Sequence, residues 1–325
     1  MTKMLNNQFV GDAVEIKSML FGLPKIALSD AAVLIQGETG VGKELIADMI
    51  HGMSFRKGKP FVKMNLSEIP PTLFESELFG HKKGAFTDAV TDKKGLFETA
   101  QCGTVFLDEI DDFPMFLQSK ILRVLEAKTI RRVGAENVTA VDVRVIASTK
   151  NNLRILIDEH KFREDLFHRI NTISIVIPSL RERKEDIPLL IDHFVHLYRP
   201  DNGLIFTDEA KKAFLNYKWS GNVRELQHVV ERLSVLMEGE IKLTDLPAEI
   251  KNYNLGTDFA RTCALCFHRD LLKLEDIMKC VEQNIILDVM KSMNGSLTKS
   301  AHRLGIGVST LHDKLKKYSF VHLKE

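Results

Sequence analysis

Apolar and polar positions follow two rhythms along this chain. In the first half, short continuous apolar runs recur at Ala32–Gln36, Phe61–Asn65, Thr104–Asp108, Val143–Ala147 and Ile173–Ile177. Runs of this length without strict alternation predict strands buried on both faces, as in a parallel sheet. The segments between them have helical spacing, so βαβ units and a doubly wound α/β domain follow, spanning residues 1–178. After Pro178 the rhythm changes. Ile187, Leu190, Ile191 and Phe194, and later Val223, Leu226, Val229, Val230 and Leu233, recur at helical spacing. They predict a smaller all-helical domain over 179–250. Residues 251–270 lose clear periodicity and read as a linker, and a third, helical unit occupies 271–325.

Composition narrows the class. The chain has 325 residues, 44% of them hydrophobic, and a formal net charge of +1. That is enough for two or three packed domains. The near-neutral average hides a basic end: residues 291–325 hold seven Lys/Arg against Asp313 and Glu325. No run reaches the roughly 18 apolar residues that a membrane span needs, and residues 1–9 lack the apolar core of a secretory signal. The four cysteines, Cys102, Cys263, Cys266 and Cys280, therefore read as reduced thiols of a cytoplasmic protein. Cys263 and Cys266 with His268 are half of a metal site at most, and the preferred reading is incidental thiols in the linker.

Gly37-Glu38-Thr39-Gly40-Val41-Gly42-Lys43 follows the first strand and opens a helix at Glu44. Glycines let the backbone curl so that successive N–H groups meet phosphate oxygens, and the helix N-terminus adds a favourable dipole. Lys43 supplies charge to the β- and γ-phosphates, whereas Glu44 replaces the usual hydroxyl residue that ligates magnesium. ATP and Mg2+ are the expected cofactors. Val105-Phe106-Leu107-Asp108-Glu109 delivers two carboxylates at the C-terminal end of a buried strand, where open α/β sheets bind ligands. Asp108 is expected to hold magnesium through water, and Glu109 to orient the attacking water. Arg163, Arg169 and Arg224 are candidate sources of further positive charge.

Taken together, seven stretches resemble the bacterial enhancer-binding activators of sigma-54 RNA polymerase, a branch of the AAA+ ATPases. They are Gly37–Glu44, Glu75–His81, Gly84–Ala89, Gly103–Ile110, Phe162–Leu166, Pro178–Arg183 and Gly221–Leu226, and the resemblance covers roughly residues 8 to 250. It implies that the α/β domain is a P-loop AAA+ ATPase with a helical lid. Asn65 then matches the switch that holds Glu109, Thr149 the first sensor and Arg224 the second. Arg163 and Arg169 match fingers reaching into a neighbour's site, which implies a ring, commonly a hexamer. Phe86 and Thr87 match the tip of a loop that grips the sigma factor. Three positions depart from the pattern: Asp88 replaces a glycine of that loop, Lys150 a common asparagine, and Ser220 a frequent proline.

Near the C-terminus, Ala301–Tyr318 reads as two helices around a tight turn. Leu304 and Ile306 plug the junction, Gly305 takes a left-handed turn, and Leu311 and Leu315 face the core. Ser309, Thr310, His312, Asp313, Lys314, Lys316 and Lys317 are left to the exterior. The pattern resembles the Fis-type helix-turn-helix. Lys316 and Lys317 then suit phosphates, while Thr310, His312 and Asp313 suit base edges. The alternative is a helical dimerisation tail.

The combined expectation is an ATP-hydrolysing activator that binds upstream DNA and remodels sigma-54 RNA polymerase. The rival is an ATP-binding, DNA-bound regulator that does not contact the sigma factor, kept open by Asp88. A AAA+ remodeller without a transcription role and a cysteine-based metal sensor are more distant. About eight residues precede the ATPase text, a layout like that of phage-shock-type activators, which predicts control by a separate regulatory protein or by expression level.

Overall fold

The computed structural model describes residues 9–65, 69–200, 203–251, 253, 282–283, 285–287, 289–290, 293 and 296–317. The chain divides into two compact units, 1–242 and 243–325. Cys263, Cys266, His268 and Cys280 lie outside the described residues, as does the expected linker apart from Lys251 and Tyr253.

The first unit is built on five strands: β1 (Val33–Gln36), β2 (Phe61–Asn65), β3 (Thr104–Asp108), β4 (Arg144–Thr149) and β5 (Ile173–Val176). They pair in the order β2-β3-β4-β1-β5, and every pairing is parallel. Continuous burial of β3 and β4 explains their uninterrupted apolar sequences. One face packs around Phe97, Leu117, Ile121 and Leu166, the other around Ile16, Ile46, Ile50 and Phe106. Helices α1 (Val14–Ala27) and α2 (Lys43–Met53) lie on the second face, α3 (Met115–Ala127) and α4 (Glu164–Ile170) on the first. Arg144, at the start of β4, is 2% exposed. Its guanidinium donates to the carbonyls of Ala27 and Ile26 at 2.7 and 2.8 Å, capping the end of α1.

After the sheet come α5 (Asp186–Tyr198), α6 (Asp208–Asn216) and α7 (Asn222–Leu236). Buried Trp219 sits at their centre, stacked against Phe214 and edge-on to Tyr217. The all-helical expectation needs amending here, because Ile205–Phe206 and Glu240–Ile241 pair as a short parallel ladder. Two residues per strand are too few to leave a periodic signal.

In the second unit, α8 (Leu297–Leu304) and α9 (Val308–Lys317) form the expected helix-turn-helix. Gly305 takes φ +66°, the left-handed value that ends α8. Ile286, Met290, Ala301 and Leu311 make the core, with Leu297, Leu304, Ile306 and Leu315 packed on it. No helix among the described residues is long and apolar enough to cross a membrane.

Candidate functional site

β1 lies between β4 and β5, so the chain crosses to opposite sides of the sheet at its C-terminal end. A crevice opens at that switch point. The loop after β1 curls through Gly37, Gly40 and Gly42, all at positive φ. It ends on α2, whose first residue, Lys43, is only 6% exposed. The Lys43 ammonium donates to the carbonyls of Gly37 and Glu38 at 2.8 and 3.2 Å. Burial pushes its pKa below the ordinary lysine value, opposed by the nearby charges of Asp108, Glu109 and Asp111.

A cavity of about 380 Å³ stands over this loop. Thr39, Gly40, Val41, Gly42, Lys43 and Glu44 form its floor, and Asn65, Asp108 and Glu109 one wall. Arg224, on the first turn of α7, closes it from the lid, and Phe9, Val10, Leu190, Phe194 and Leu197 line its apolar part. Parallel pairing puts Asn65 directly opposite Asp108, which explains how two residues 43 positions apart reach one wall. Gly37 and Glu38 stand behind the floor. Glu38 forms a two-pronged ion pair with Arg181, at 2.8 and 2.5 Å, which holds its carboxyl below the usual range.

The acidic turn after β3 is gripped by the residues that end β4. Ser148 donates its hydroxyl to Asp108 and accepts the Glu109 amide at 3.0 Å. Asn151 donates to Asp111 at 2.8 Å. Lys150 reaches Asp112 at 2.8 Å and Glu109 at 3.3 Å. Glu109 itself is left-handed, with φ 51° and ψ 54°, an uncommon conformation for a non-glycine residue. Thr149 is fully buried, its hydroxyl donating to the Asn151 carbonyl at 2.9 Å. Its own carbonyl accepts the Gly37 amide at 3.1 Å. Thr149 therefore stands behind the cavity, bonded to the phosphate loop.

Arg163 and Arg169 do not line this cavity. Arg163 precedes the first residue of α4 and pairs with Asp165 at 2.7 and 3.0 Å. Arg169 donates to the Leu125 carbonyl at 3.1 Å, in a hollow shared with Ala32 and Val143, which precede β1 and β4. It thus lies at the opposite end of the strands.

Phe86 and Thr87 occupy a loop bracketed by a short antiparallel ladder, Gly80–His81 with Lys93–Lys94. The loop is closed by the Gly84 amide to the Ala89 carbonyl at 2.8 Å. Thr87 and Asp88 are exposed, while Phe86 leans edge-on against buried His81, 4.9 Å between ring centres. Asp88 is not among the non-glycine residues with positive φ, so the turn closes without demanding a glycine there. A second loop packs against it: a Cβ on Gly134 would meet the Ala85 side chain at 2.8 Å.

On α9 and the turn before it, Ser309, Thr310, His312, Asp313, Lys316 and Lys317 are exposed. Lys314 is half-buried and paired with Glu282.

Several positioning residues escape the sequence reading. Buried Asn222, at φ 53°, accepts the Leu180 amide at 2.8 Å and donates to Glu38 and Thr39 at 3.1 and 3.0 Å. It thus joins the lid to the phosphate loop. Buried Asp186 accepts the amides of Asp12 and Ala13 at 2.6 and 2.9 Å, pinning the segment before α1 to the lid. Arg183 lies over the Phe9 ring, 5.4 Å from its centre. Buried Gln118 accepts the Arg163 amide at 2.9 Å and donates to the Phe113 and Lys161 carbonyls at 2.7 and 3.1 Å. Arg183 and Asn222 fall within the Pro178–Arg183 and Gly221–Leu226 stretches that carry the resemblance, whereas Asp186 and Gln118 left no sequence signal.

A parallel sheet with a glycine loop at its switch point, an acidic strand end and a helical lid define the class of AAA+ ATPases. The chain belongs to the sigma-54 activator family: residues 9–176 match the sigma-54 interaction domain, 181–261 the AAA+ ATPase lid domain, and 278–318 the Fis family of bacterial regulatory proteins. It is 43% identical over 298 residues to the regulatory protein AtoC of Escherichia coli K12, covering 90% of this chain and 64% of AtoC. It is 38% identical over 322 residues to the response regulator PilR of Pseudomonas aeruginosa, covering 96% of this chain and 70% of PilR. The chain thus spans about two thirds of the length of these relatives. Among solved structures, NtrX of Brucella abortus in complex with ATP matches with TM-score 0.71 and 32% identity, over 95% of this chain and 69% of that one. The yeast Hsp104 complex with casein, at 15% identity and TM-score 0.52, shares the fold alone.

Proposed function

We propose that this protein hydrolyses ATP and uses the cycle to remodel sigma-54 RNA polymerase while bound to upstream DNA. The observation that carries this reading is the meeting of Lys43, Asp108, Glu109 and Asn65 in one cavity under Arg224. The phosphate loop takes the β- and γ-phosphates, and the apolar wall of Phe9, Leu190 and Phe194 suits a planar base. Glu109 orients a water whose oxygen attacks the γ-phosphorus as the bond to the bridging oxygen breaks, giving ADP and inorganic phosphate. Asn65 restrains Glu109 between turnovers, Thr149 relays the state of the phosphate loop, and Arg224 senses nucleotide from the lid.

Among the described residues, no three or more His, Cys, Asp or Glu side chains gather to hold a metal ion. Magnesium binds one or two carboxylates and completes its shell with phosphates and water. Asp108, whose carboxylate faces the cavity, would hold the ion through water. The ion would supply charge neutralisation at the phosphates.

Arg163 and Arg169, turned away from this chain's own cavity, act on a neighbouring copy in a ring, with six copies the expected number. Phe86 and Thr87 form the sigma contact. Thr310, His312 and Asp313 face bases, with Ser309 on the same DNA-binding surface, Lys316 and Lys317 on phosphates, and Lys314 restrained by Glu282. Control falls to a separate regulatory protein or to expression level, in the bacterial cytoplasm. The working divisions are 1–178, 179–250, 251–270 and 271–325.

The test is co-migration of the protein with sigma-54 factor in ADP and aluminium fluoride, a mimic of the hydrolysis transition state. A nucleotide-dependent complex is expected. ATP hydrolysis without any complex would favour the second reading, a sigma-independent DNA-bound regulator, for which the exposed charge of Asp88 is the specific argument.

A further inference from the structure

We propose that Lys150 is a positioning residue that restrains hydrolysis by holding the Glu109 carboxylate. The inference rests on the ATPase reading above and adds a control element at the same site.

Lys150 follows Thr149 at the end of β4, one residue from the bond between Thr149 and the phosphate loop. Its ammonium is shared between two carboxylates, 2.8 Å from Asp112 and 3.3 Å from Glu109. The backbone of Glu109 is fixed independently, by the amide bond to Ser148. The Glu109 side chain is therefore the movable partner. A water that attacks phosphorus needs a lone pair on that carboxylate, and the Lys150 ammonium takes Oε2 with a charge-assisted bond that withdraws electron density from the whole group. While Lys150 holds Glu109, the carboxylate is a weaker acceptor for that water.

Asp112 sets the strength of this restraint. It is the closer partner, so Lys150 can give up Glu109 and remain paired. Removing Asp112 leaves Glu109 as the remaining carboxylate of the pair, and the hold tightens. Removing Lys150 frees Glu109. Two substitutions in one ion-pair cluster thus have opposite effects on turnover, which a surface cluster serving stability alone would not produce.

The experiment is steady-state ATP hydrolysis by the full chain and four variants, with melting temperatures recorded. Lys150→Met should raise kcat about three- to tenfold with KM within about twofold of wild type, the signature of a changed chemical step rather than changed binding. Asp112→Asn should lower kcat. The double variant should follow Lys150→Met, and Lys150→Arg should stay near wild type. Lys150→Gln replaces Lys150→Met if the latter does not fold. A Lys150→Met enzyme no faster than wild type, or Asp112→Asn moving kcat upward, overturns the inference while leaving the ATPase reading intact. A wild-type chain without ATP hydrolysis overturns both.

Discussion

The carbonyl oxygen of Gly221 stands 2.3 Å from the point where a Cβ on Gly40 would sit. This close approach lets the Gly40 carbonyl accept the amides of Val223 and Arg224 at 3.0 and 3.3 Å, so the phosphate loop itself seats the first turn of the lid helix. Gly40 is also at φ +81°, where a side chain adds strain. Gly40→Ala should therefore push the lid off the loop and weaken ATP binding by at least about tenfold, on the order of 1.4 kcal/mol. Titration with a fluorescent ATP analogue checks this, and an unchanged affinity would refute the coupling.

Asp186 is fully buried and serves the start of α1 from 173 residues away. Asp186→Ala strands two amides and leaves Arg183, itself 1% exposed, without its facing carboxylate. A loss of about 2–4 kcal/mol is expected, read as a fall in denaturant midpoint at unchanged slope. A loss below about 0.5 kcal/mol would mean that water replaces the carboxylate at no cost.

Arg56 donates to Asp30 at 3.0 and 3.3 Å and to Asp142 at 2.9 Å. Its hydrogen bond is the main cause that holds Asp30 below the ordinary value of 3.8. A depressed carboxyl contributes stability that is present above the unfolded value and lost as pH falls through the folded one. Arg56→Met should thus melt below wild type at neutral pH, and the gap should narrow on acidification below 3.8. A gap independent of pH would assign the effect to the bonds Arg56 makes to the carbonyls of Gly103 and Asp142 instead.

Lys316 and Lys317 are both exposed on α9. Replacing either with Ala should weaken binding to different DNA sequences about equally and reduce the salt dependence of log K by about one per lysine. Lys314→Ala, already paired with Glu282, should change that slope less. Fluorescence anisotropy at several salt concentrations distinguishes the three variants, and equal slopes would reject the division of roles.

Much of the fold was legible because the sheet is buried on both faces and its strands are continuous apolar runs. Each of the five expected strands is present within two residues of its expected ends. β4 runs on to Thr149 where the apolar run stops at Ala147, because Gln36 still pairs with Thr149 across the sheet. The glycine loop and acidic strand end were legible as well, since their chemistry demands particular residue types in a row. The grips that aim the site were not. Asn222 to Glu38, Asp186 to Asp12 and Lys150 to Glu109 join residues 184, 174 and 41 positions apart. No local period records such a pair, and Lys150 stood out only as a departure from a familial asparagine.

Asn222 has a mechanical consequence. One side chain bonds Leu180 at the exit from the sheet and Glu38 and Thr39 on the loop, while the helix it begins carries Arg224. The lid is therefore tied to the loop at the point where α7 begins. A tilt of α7 would strain these bonds and reshape the loop, and a reshaped loop would tilt α7 in return. Nucleotide affinity and lid angle become one adjustable quantity, so substitutions far out on the lid should be felt first as changes in how tightly ATP is held.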